Sequence, residues 1–304
     1  MRFALALVAL VLVVPIAAAK PPPPPTEAAV VATGRAPCGL ATHGGELWIG
    51  VYETGTVLRL DRAGRVRQRI RVGPWACRLA VADDAAWVTR DRANAVVRID
   101  RRSGRQRTVR VPSPFDVVRA AEAIWVTSFD AGTVTRIDPR TLRPTRVIRV
   151  GGSPAGITSC GGYVWVGHGR DATWLTSIDP RTGQARRVDV VVPSPGWPRC
   201  VRGELWVTTP DAVLRVAPRS GELRFHVPLG GTPAEAAVAQ GAIDGHWLIW
   251  VTDKERSLVH RIDPATGNVF DSFPAGPGAY SLARFAGSMW ITSFAGSDVR
   301  RYDP

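Results

Sequence analysis

The 304-residue chain has few or none of the residues and motifs that several protein classes require. It has two Met and only two Lys, Lys20 and Lys254, so its formal net charge of +13 comes almost entirely from Arg. No Gly-rich phosphate loop, Gly-x-Ser-x-Gly elbow, EF-hand loop or Cys-x-x-Cys pair occurs. Aromatic residues are not interleaved with the basic ones in the manner of nucleic-acid binding proteins, and we predict no nucleic-acid partner.

Glycine and proline are abundant, and this composition bears on the fold class. The chain carries 30 Gly and 25 Pro, with 45% hydrophobic and 21% charged residues. That hydrophobic share supports a folded core and argues against a disordered chain. The many turn-forming residues favour short strands and exclude a helical bundle.

One long apolar run occurs, at the N-terminus. It extends from Phe3 to Ile16 and is followed by the small residues 17–19, an A-x-A cleavage pattern. We predict a signal peptide at 1–19 and a Pro-rich linker at 20–27, with an uncleaved anchor as the alternative. The mature chain would then be secreted or periplasmic, without a membrane span, in a compartment that permits disulfides.

The remainder of the chain is a sevenfold repeat marked by tryptophan. Seven of the eleven Trp precede Val or Ile and then Thr or Gly, at spacings of 38 to 44 residues. An Arg-Ile-Asp signature or a variant of it ends 13 residues after most of them. A period near 40 is typical of propeller blades. The seven residues are Trp48, Trp87, Trp125, Trp165, Trp206, Trp250 and Trp290.

Each copy is predicted to form four short strands. In the fourth copy these cover residues 151–159, 163–167, 173–179 and 185–191, with a Pro-Gly hairpin between the last two. We predict that the Trp of the second strand fills the wedge between neighbouring blades. The fold class is therefore all-β: one seven-bladed β-propeller of four-stranded blades over 28–304.

Ring closure is predicted from the two ends of the repeat region. The last copy stops after its third strand, and residues 27–34 resemble a fourth strand. We expect residues 28–32 to pair beside 299–302 and complete the seventh blade. In the sixth copy Pro233 lies 17 residues before Trp250, where the usual distance is 11, and we expect the six extra residues to lengthen the turn through 241–246.

The four Cys allow three pairings in an exported chain. The pairing Cys38–Cys77 with Cys160–Cys200 joins inner strands of adjacent blades. The second bridge has the one-residue offset that suits facing blades, whereas the first needs irregular backbone after Pro37. Buried free thiols are the alternative.

Arginines also alternate along predicted outermost strands, as at Arg67, Arg69 and Arg71. Charge at such positions protects an exposed sheet edge from aggregation. A dedicated anion-binding band is the alternative that these residues leave open.

The repeat Trp-Val-Thr-x(n)-Val-x-Arg-Ile-Asp-Pro-x-Thr-Gly, preceded by Gly-x-x-Pro, resembles the exported YncE-like and virginiamycin B lyase-like propellers. The resemblance covers about residues 28–304 and implies the seven-bladed fold. In lyase members it implies a Trp-Phe-Thr-Glu repeat and a magnesium-dependent site of His and Glu. Here no Glu follows the Trp triplet, where the chain has Val51, Arg90, Ser128, His168, Thr209, Asp253 and Ser293.

A ligand site is predicted at the face where inner strands begin and second strands turn into third strands. One set of loops offers Trp75, Arg78, Phe115, Asp116, Trp197, Glu235 and Tyr280. The other offers Tyr52, Arg90, Asp91, Phe129, Asp130, His168, Arg170, Asp171, Asp253, Lys254 and Phe294. From these we select Arg90, Asp116, Asp130, His168 and Trp197 as ligand-binding candidates. An ordinary solvated loop surface is the alternative.

Two functions compete. The first is a non-catalytic platform that binds a protein, an envelope polymer or a small polar ligand at this face. The second is an enzyme, either a metal-assisted lyase or a lactonase-type hydrolase. We favour the platform and assign no catalytic residue and no metal ligand. We predict no cofactor, with Mg²⁺ or Ca²⁺ implied only by the enzyme alternative, and we expect a monomer.

Overall fold

The computed structural model describes residues 24–82, 84–231, 240–243 and 246–303. In these ranges, 28 strands form seven four-stranded antiparallel sheets arranged as the blades of a ring. One short 3-10 helix, Asp91–Ala93, is present as well. No helix among the described residues is long and apolar enough to cross a membrane. The predicted signal peptide at 1–19 lies outside these ranges.

The strands follow one another along the chain with little intervening structure. The outermost strand of the last blade comes first, as β1 (Thr26–Ala32). Blades I to III contain β2 (Pro37–His43), β3 (Glu46–Val51), β4 (Thr56–Leu60), β5 (Val66–Arg71), β6 (Ala76–Val81), β7 (Ala85–Arg90), β8 (Ala95–Asp100), β9 (Gln106–Arg110), β10 (Pro114–Ala120), β11 (Ala123–Ser128), β12 (Thr133–Ile137) and β13 (Pro144–Arg149). Blades IV and V contain β14 (Ser153–Cys160), β15 (Tyr163–Gly169), β16 (Trp174–Ile178), β17 (Ala185–Asp189), β18 (Trp197–Val201), β19 (Glu204–Thr208), β20 (Ala212–Val216) and β21 (Leu223–Pro228). Blades VI and VII contain β22 (Gln240–Ile243), β23 (His246–Asp253), β24 (Leu258–Ile262), β25 (Val269–Pro274), β26 (Ala279–Phe285), β27 (Ser288–Ser293) and β28 (Asp298–Asp303).

The seven repeat tryptophans form the core, as predicted. Each lies on the second strand of its blade and is at most 1% exposed. Their apolar clusters draw on two adjoining blades: Trp48 of blade I packs with Leu79 and Val88 of blade II. Trp125 of blade III packs in the same way with Ile157 of blade IV. Burying one indole at each contact between blades stabilises the ring, because apolar area leaves water there.

The N-terminal strand closes the ring, which confirms the predicted closure. Strand β1 pairs antiparallel with β28, from Thr26 opposite Asp303 to Ala32 opposite Asp298, with a bulge after Glu27. The Glu27 carboxylate accepts a hydrogen bond from Arg300 at 2.9 Å. The last blade therefore takes one strand from the start of the chain and three from its end, which ties the termini together.

Blade VI differs from the expectation for its extra residues. Residues 240–243 are strand β22, and β23 begins four residues before Trp250, whereas the second strand of the other blades begins two residues before its Trp. The register from Gln240–Ile249 to Ile243–His246 continues to the end of the hairpin. The extra residues thus lengthen the paired strands, because ladder hydrogen bonds satisfy backbone groups that a longer turn would expose.

Both predicted cystines join inner strands of adjacent blades. Cys38 of β2 is bonded to Cys77 of β6, with 5.0 Å between the Cα atoms, and Cys160 of β14 is bonded to Cys200 of β18, with 5.3 Å. The register of β2 shifts between Pro37 and Gly39, which supplies the irregular backbone that the first bridge needs. All four cysteines of the sequence lie in the described ranges and are paired in these two bridges.

In blades I to IV the residue two positions after the repeat Trp lies at the contact with the next blade. In several blades it is Thr, and its hydroxyl donates to a carbonyl on the neighbouring inner strand. Thr89 donates to Phe115 O at 3.2 Å, and Thr127 donates to Ala155 O at 2.7 Å. We call these contacts Thr-bridged junctions. They explain the third residue of the Trp-Val-Thr signature.

In blades I and IV the same position is Gly. A Cβ atom at Gly50 would lie 2.1 Å from Cys77 O, and one at Gly167 would lie 2.3 Å from Gly196 O. The backbone of the next blade therefore occupies the space that a Thr side chain fills elsewhere. We call these two contacts, I to II and IV to V, tight junctions. They are also the two contacts that carry a cystine.

Candidate functional site: the channel mouth

A cavity of about 230 Å³ opens at the end of the ring where the inner strands begin. Residues from four blades line it, so it exists only in the closed ring. Polar and aromatic side chains converge there around the Cys38–Cys77 bridge. The lining residues are Cys38, Tyr52, Cys77, Arg78, Thr89, Asp91, Phe115, Tyr280 and Phe294.

Arg78 lies at the floor of this cavity. It is 3% exposed, follows the tight junction at Cys77, and extends from blade II towards blades V and VII. Its guanidinium carbon lies 4.5 Å from the ring centroid of Trp197 and 5.1 Å from that of Tyr280, and it donates to the Tyr280 hydroxyl at 3.3 Å. Burial lowers the pKa of the Arg78 guanidinium, and Tyr280 and Asp116 act in the opposite direction. Because the guanidinium of arginine stays protonated in proteins, Arg78 places a positive charge between the rings of Trp197 and Tyr280.

Asp116 fixes three blades at this level. It is 4% exposed, and its carboxylate accepts hydrogen bonds from the backbone N–H of Val117 at 2.8 Å and of Ile157 at 3.0 Å. Arg199 of blade V lies 3.4 Å from the same carboxylate. Because its oxygens are bound by blades III, IV and V, Asp116 positions the inner strands that carry the neighbouring rings.

An aromatic row extends from blade III to blade V. The ring of Phe115 lies 4.9 Å from Phe129 and 5.4 Å from Trp197, centroid to centroid. Arg170 covers the outer side of Phe129 at 4.8 Å and pairs with Asp130 at 2.9 Å. Asp130 and Arg170 are both largely exposed, so this ion pair forms the rim of the mouth.

A second aromatic pair borders the cavity on the side of blade VII. Tyr280 and Phe294 lie 5.3 Å apart, and the Lys254 ammonium lies 4.4 Å from the Phe294 centroid. Burial lowers the pKa of Lys254. Across the cavity the Tyr52 hydroxyl donates to the Asp91 carboxylate at 3.1 Å. The mouth therefore combines flat apolar walls with cations and hydrogen-bonded carboxylates.

The five sequence-selected residues are dispersed over the mouth and its surroundings. Trp197 lies against the Arg78 guanidinium, the charge of Asp116 acts on that guanidinium, and Asp130 lies on the rim. Arg90 is half-buried along its own blade, where its Nε donates to Pro74 O at 3.1 Å. Their role in binding stays a prediction, as does that of His168. Glu235, from the wider set, lies outside the described residues.

His168 is fully buried inside blade IV. Its Nε2 lies 2.9 Å from the Thr176 hydroxyl, and its ring lies 5.3 Å from Trp174. Strand β15 continues through Gly169, which keeps His168 within the sheet instead of in a loop. Burial lowers the pKa of His168 to about 4, so it is neutral at neutral pH.

The narrower selection omitted Arg78, Phe115 and Tyr280, which the structure brings together. Phe115 and Tyr280 directly follow Pro114 and Ala279, and Arg78 lies two residues after Ala76. Their shared position near the start of an inner strand is the sequence signal for them. Among the described residues, no group of three or more His, Cys, Asp or Glu side chains lies close enough to hold a metal ion.

Comparisons with known proteins extend to the fold alone. No protein-family model and no curated protein matches the chain. The hydrazine synthase of Kuenenia stuttgartiensis is similar in structure, with 13% identity, a TM-score of 0.74, and coverage of 89% of this chain and 96% of that one. The β-propeller domain of Cps50 (Swd1) from Myceliophteria thermophila has 13% identity and a TM-score of 0.75, with coverage of 92% and 100%. At such low identity this likeness establishes one conclusion: the chain has the seven-bladed β-propeller fold.

Proposed function

We propose that this chain is an exported, non-catalytic binding platform of the YncE-like type that holds a small planar ligand with an acidic group at the channel mouth. The apolar run with its cleavage pattern at 1–19 supports export. The two cystines are compatible with an extracytoplasmic compartment.

The observation that carries the proposal is the position of Arg78. A guanidinium buried between the rings of Trp197 and Tyr280, on the floor of an open cavity, offers charge to a ligand entering from the mouth. Arginine is suited to this task because its fork of N–H donors matches a carboxylate. Holding it between rigid rings also reduces the entropy lost on binding.

The size and lining of the cavity indicate the rest of the ligand. Its volume of about 230 Å³ is below the roughly 300–1,000 Å³ common for drug-sized ligands, so one substituted ring is the appropriate scale. Phe115 and Phe294 offer flat faces for such a ring. Asp91, which already accepts from Tyr52, is the acceptor for a hydroxyl at the far end.

The experiment uses two probes of the same shape and different charge, 4-hydroxybenzoate and 4-hydroxybenzamide. Calorimetric titration of the wild type should give binding of the benzoate at least tenfold tighter than binding of the amide. Arg78→Met keeps the length of the side chain and removes its charge, and it should remove that preference. Arg71→Met, on an exposed position of β5, is the control for net charge and should bind both probes as the wild type does.

Equal affinity of the wild type for the two probes, or no binding of either, would contradict the proposal. An unchanged preference in Arg78→Met would contradict it as well. If Arg78→Met does not fold, as judged by circular dichroism and melting, Lys254→Met provides the second test. Its ammonium borders the same cavity wall at Phe294, and a severalfold loss of benzoate affinity is expected.

A further inference from the structure

An arginine–carboxylate pair recurs in several blades near the end of the ring opposite the channel mouth. Five blades carry an Arg opposite the repeat Trp, and its guanidinium contacts a carboxylate of the same blade. In each pair the carboxylate neutralises the positive charge of the arginine. The pairs are Arg59–Glu46, Arg98–Asp84, Arg215–Glu204, Arg261–Asp271 and Arg301–Asp303.

Blade III departs from this pattern at Arg136. Arg136 also lies opposite its Trp, Trp125, but it donates to the Thr145 hydroxyl at 2.9 Å instead of a carboxylate. Its Nε atom is buried and has no hydrogen-bond acceptor among the described residues. Two positions before the Trp, where blades I and V have Glu46 and Glu204, blade III has Ala123.

A groove of about 580 Å³ lies beside Arg136, between blades II and III. It is lined by five arginines and three acidic residues, which gives it an excess of positive charge. The groove residues that carry charge are Arg98, Arg107, Arg119, Arg136, Arg140, Asp84, Glu122 and Asp138.

The acidic residues of this groove are already engaged. Asp84 pairs with Arg98 at 2.8 Å, and Glu122 pairs with Arg119 at 3.3 Å. The Asp138 carboxylate accepts hydrogen bonds from the backbone N–H of residues 140 and 141, at 2.7 Å and 3.2 Å. Within the described ranges, Arg107 and Arg136 therefore have no carboxylate partner. The backbone N–H of Arg140 is the main cause of the lowered pKa of Asp138, and the charge of its guanidinium adds to that effect.

We propose that this groove binds a condensed phosphate, an anion with successive phosphate groups. Arg107 and Arg136 have no carboxylate partner and Arg140 lies in the same groove, so several positive charges face one anion there. Arginine also binds phosphate oxygens in a bidentate manner. A second groove of about 150 Å³ continues from Arg136 to Arg146 and Arg181, so a longer chain has room to extend towards blade IV.

Titration with inorganic tripolyphosphate tests the proposal, with long-chain polyphosphate as a second ligand. The wild type should bind tripolyphosphate, with affinity that falls steeply as salt is raised. Arg136→Met should weaken binding at least tenfold. Ala123→Glu gives blade III the carboxylate that blades I and V have at this position. By forming an ion pair with Arg136 it should weaken binding as much as Arg136→Met does.

The controls separate binding at this groove from an effect of net charge. Arg71→Met removes one charge elsewhere and should change the affinity for tripolyphosphate less than twofold. Equal losses in Arg71→Met and Arg136→Met, or no loss in Arg136→Met, would overturn the proposal. So would single-stranded DNA that binds as tightly and depends equally on Arg136. If Ala123→Glu does not fold, Arg107→Met takes its place, with the same loss expected.

Discussion

Two kinds of junction between blades occur among the described residues, and the difference shows how a repeat protein acquires an asymmetric site. At a Thr-bridged junction a side chain such as that of Thr127 spans the gap between blades. At a tight junction Gly50 or Gly167 admits the backbone of the next blade, and a cystine joins the inner strands. One small side chain per blade therefore sets how closely two blades approach.

Both tight junctions lead directly into the floor of the channel mouth. Arg78 follows Cys77, whose carbonyl occupies the space beside Gly50. Trp197 follows Gly196, whose carbonyl occupies the space beside Gly167. The two partners of the Arg78–Trp197 contact are thus each attached to a tight junction, on opposite sides of the ring.

The largest loss of stability is expected when the Gly of a tight junction is replaced by the Thr of a Thr-bridged junction. Gly167→Thr places a Cβ atom 2.3 Å from Gly196 O, against backbone that no rotamer change can relieve. We expect the free energy of unfolding to fall by about 4 kcal/mol, measured by denaturant titration.

The reverse change, Thr127→Gly, is the matched control. It removes the hydroxyl that donates to Ala155 O and accepts from the N–H of Asp116 at 2.9 Å. The expected loss is about 2 kcal/mol, from the hydrogen bonds and the added backbone freedom of Gly. Equal losses in the two variants would remove the distinction between the junctions.

A smaller effect is expected from acid, and part of it arises at the IV–V junction. The backbone N–H of His168 donates to Pro195 O at 3.0 Å across that junction. Burial lowers the pKa of His168 to about 4, from an ordinary value of 6.5. The unfolded chain therefore binds a proton in this pH range that the folded chain excludes. The stability that neutral His168 supports is complete above about pH 6.5 and declines as the pH falls towards 4.

His168 should make the free energy of unfolding change with pH by up to about 1.4 kcal/mol per pH unit in the middle of that range. Denaturant titrations of the wild type and of His168→Gln between pH 4 and 7 provide the comparison. The variant should lose this part of the pH dependence. Identical slopes in the two proteins would show that His168 titrates normally.

The ring itself could be predicted from the sequence because its determinants are local and repeated. Trp at a period near 40 marks the blades, and the strand pattern of residues 27–34 predicts closure with the last blade. The bounds of single strands differ by one or two residues, since strand ends depend on the turns beside them. The extra residues of blade VI were predicted as a turn because the sequence alone does not show that both strands extend in register.

The floor of the site could be predicted only in part. Arg78 meets Tyr280, 202 residues away in sequence, and that contact depends on how far the side chain reaches across the ring. His168 stands at a loop position in the repeat pattern, but β15 continues past it. Contacts between opposite blades depend on ring diameter and rotamer, which no local pattern encodes.

The most direct test of the account is the environment of the Arg78 guanidinium in solution. In a deuterated sample, the Nε–H signal that disappears in Arg78→Met can be assigned to Arg78 by ¹H–¹⁵N correlation spectroscopy. Ring currents of Trp197 and Tyr280 should shift this signal upfield. Trp197→Leu should move it back towards the position of exposed arginines, while Arg71→Met, on an exposed position of β5, should leave it in place. An Arg78 signal at the exposed position in the wild type, unmoved by Trp197→Leu, would contradict the claim that the tight junctions hold this cation against the aromatic floor.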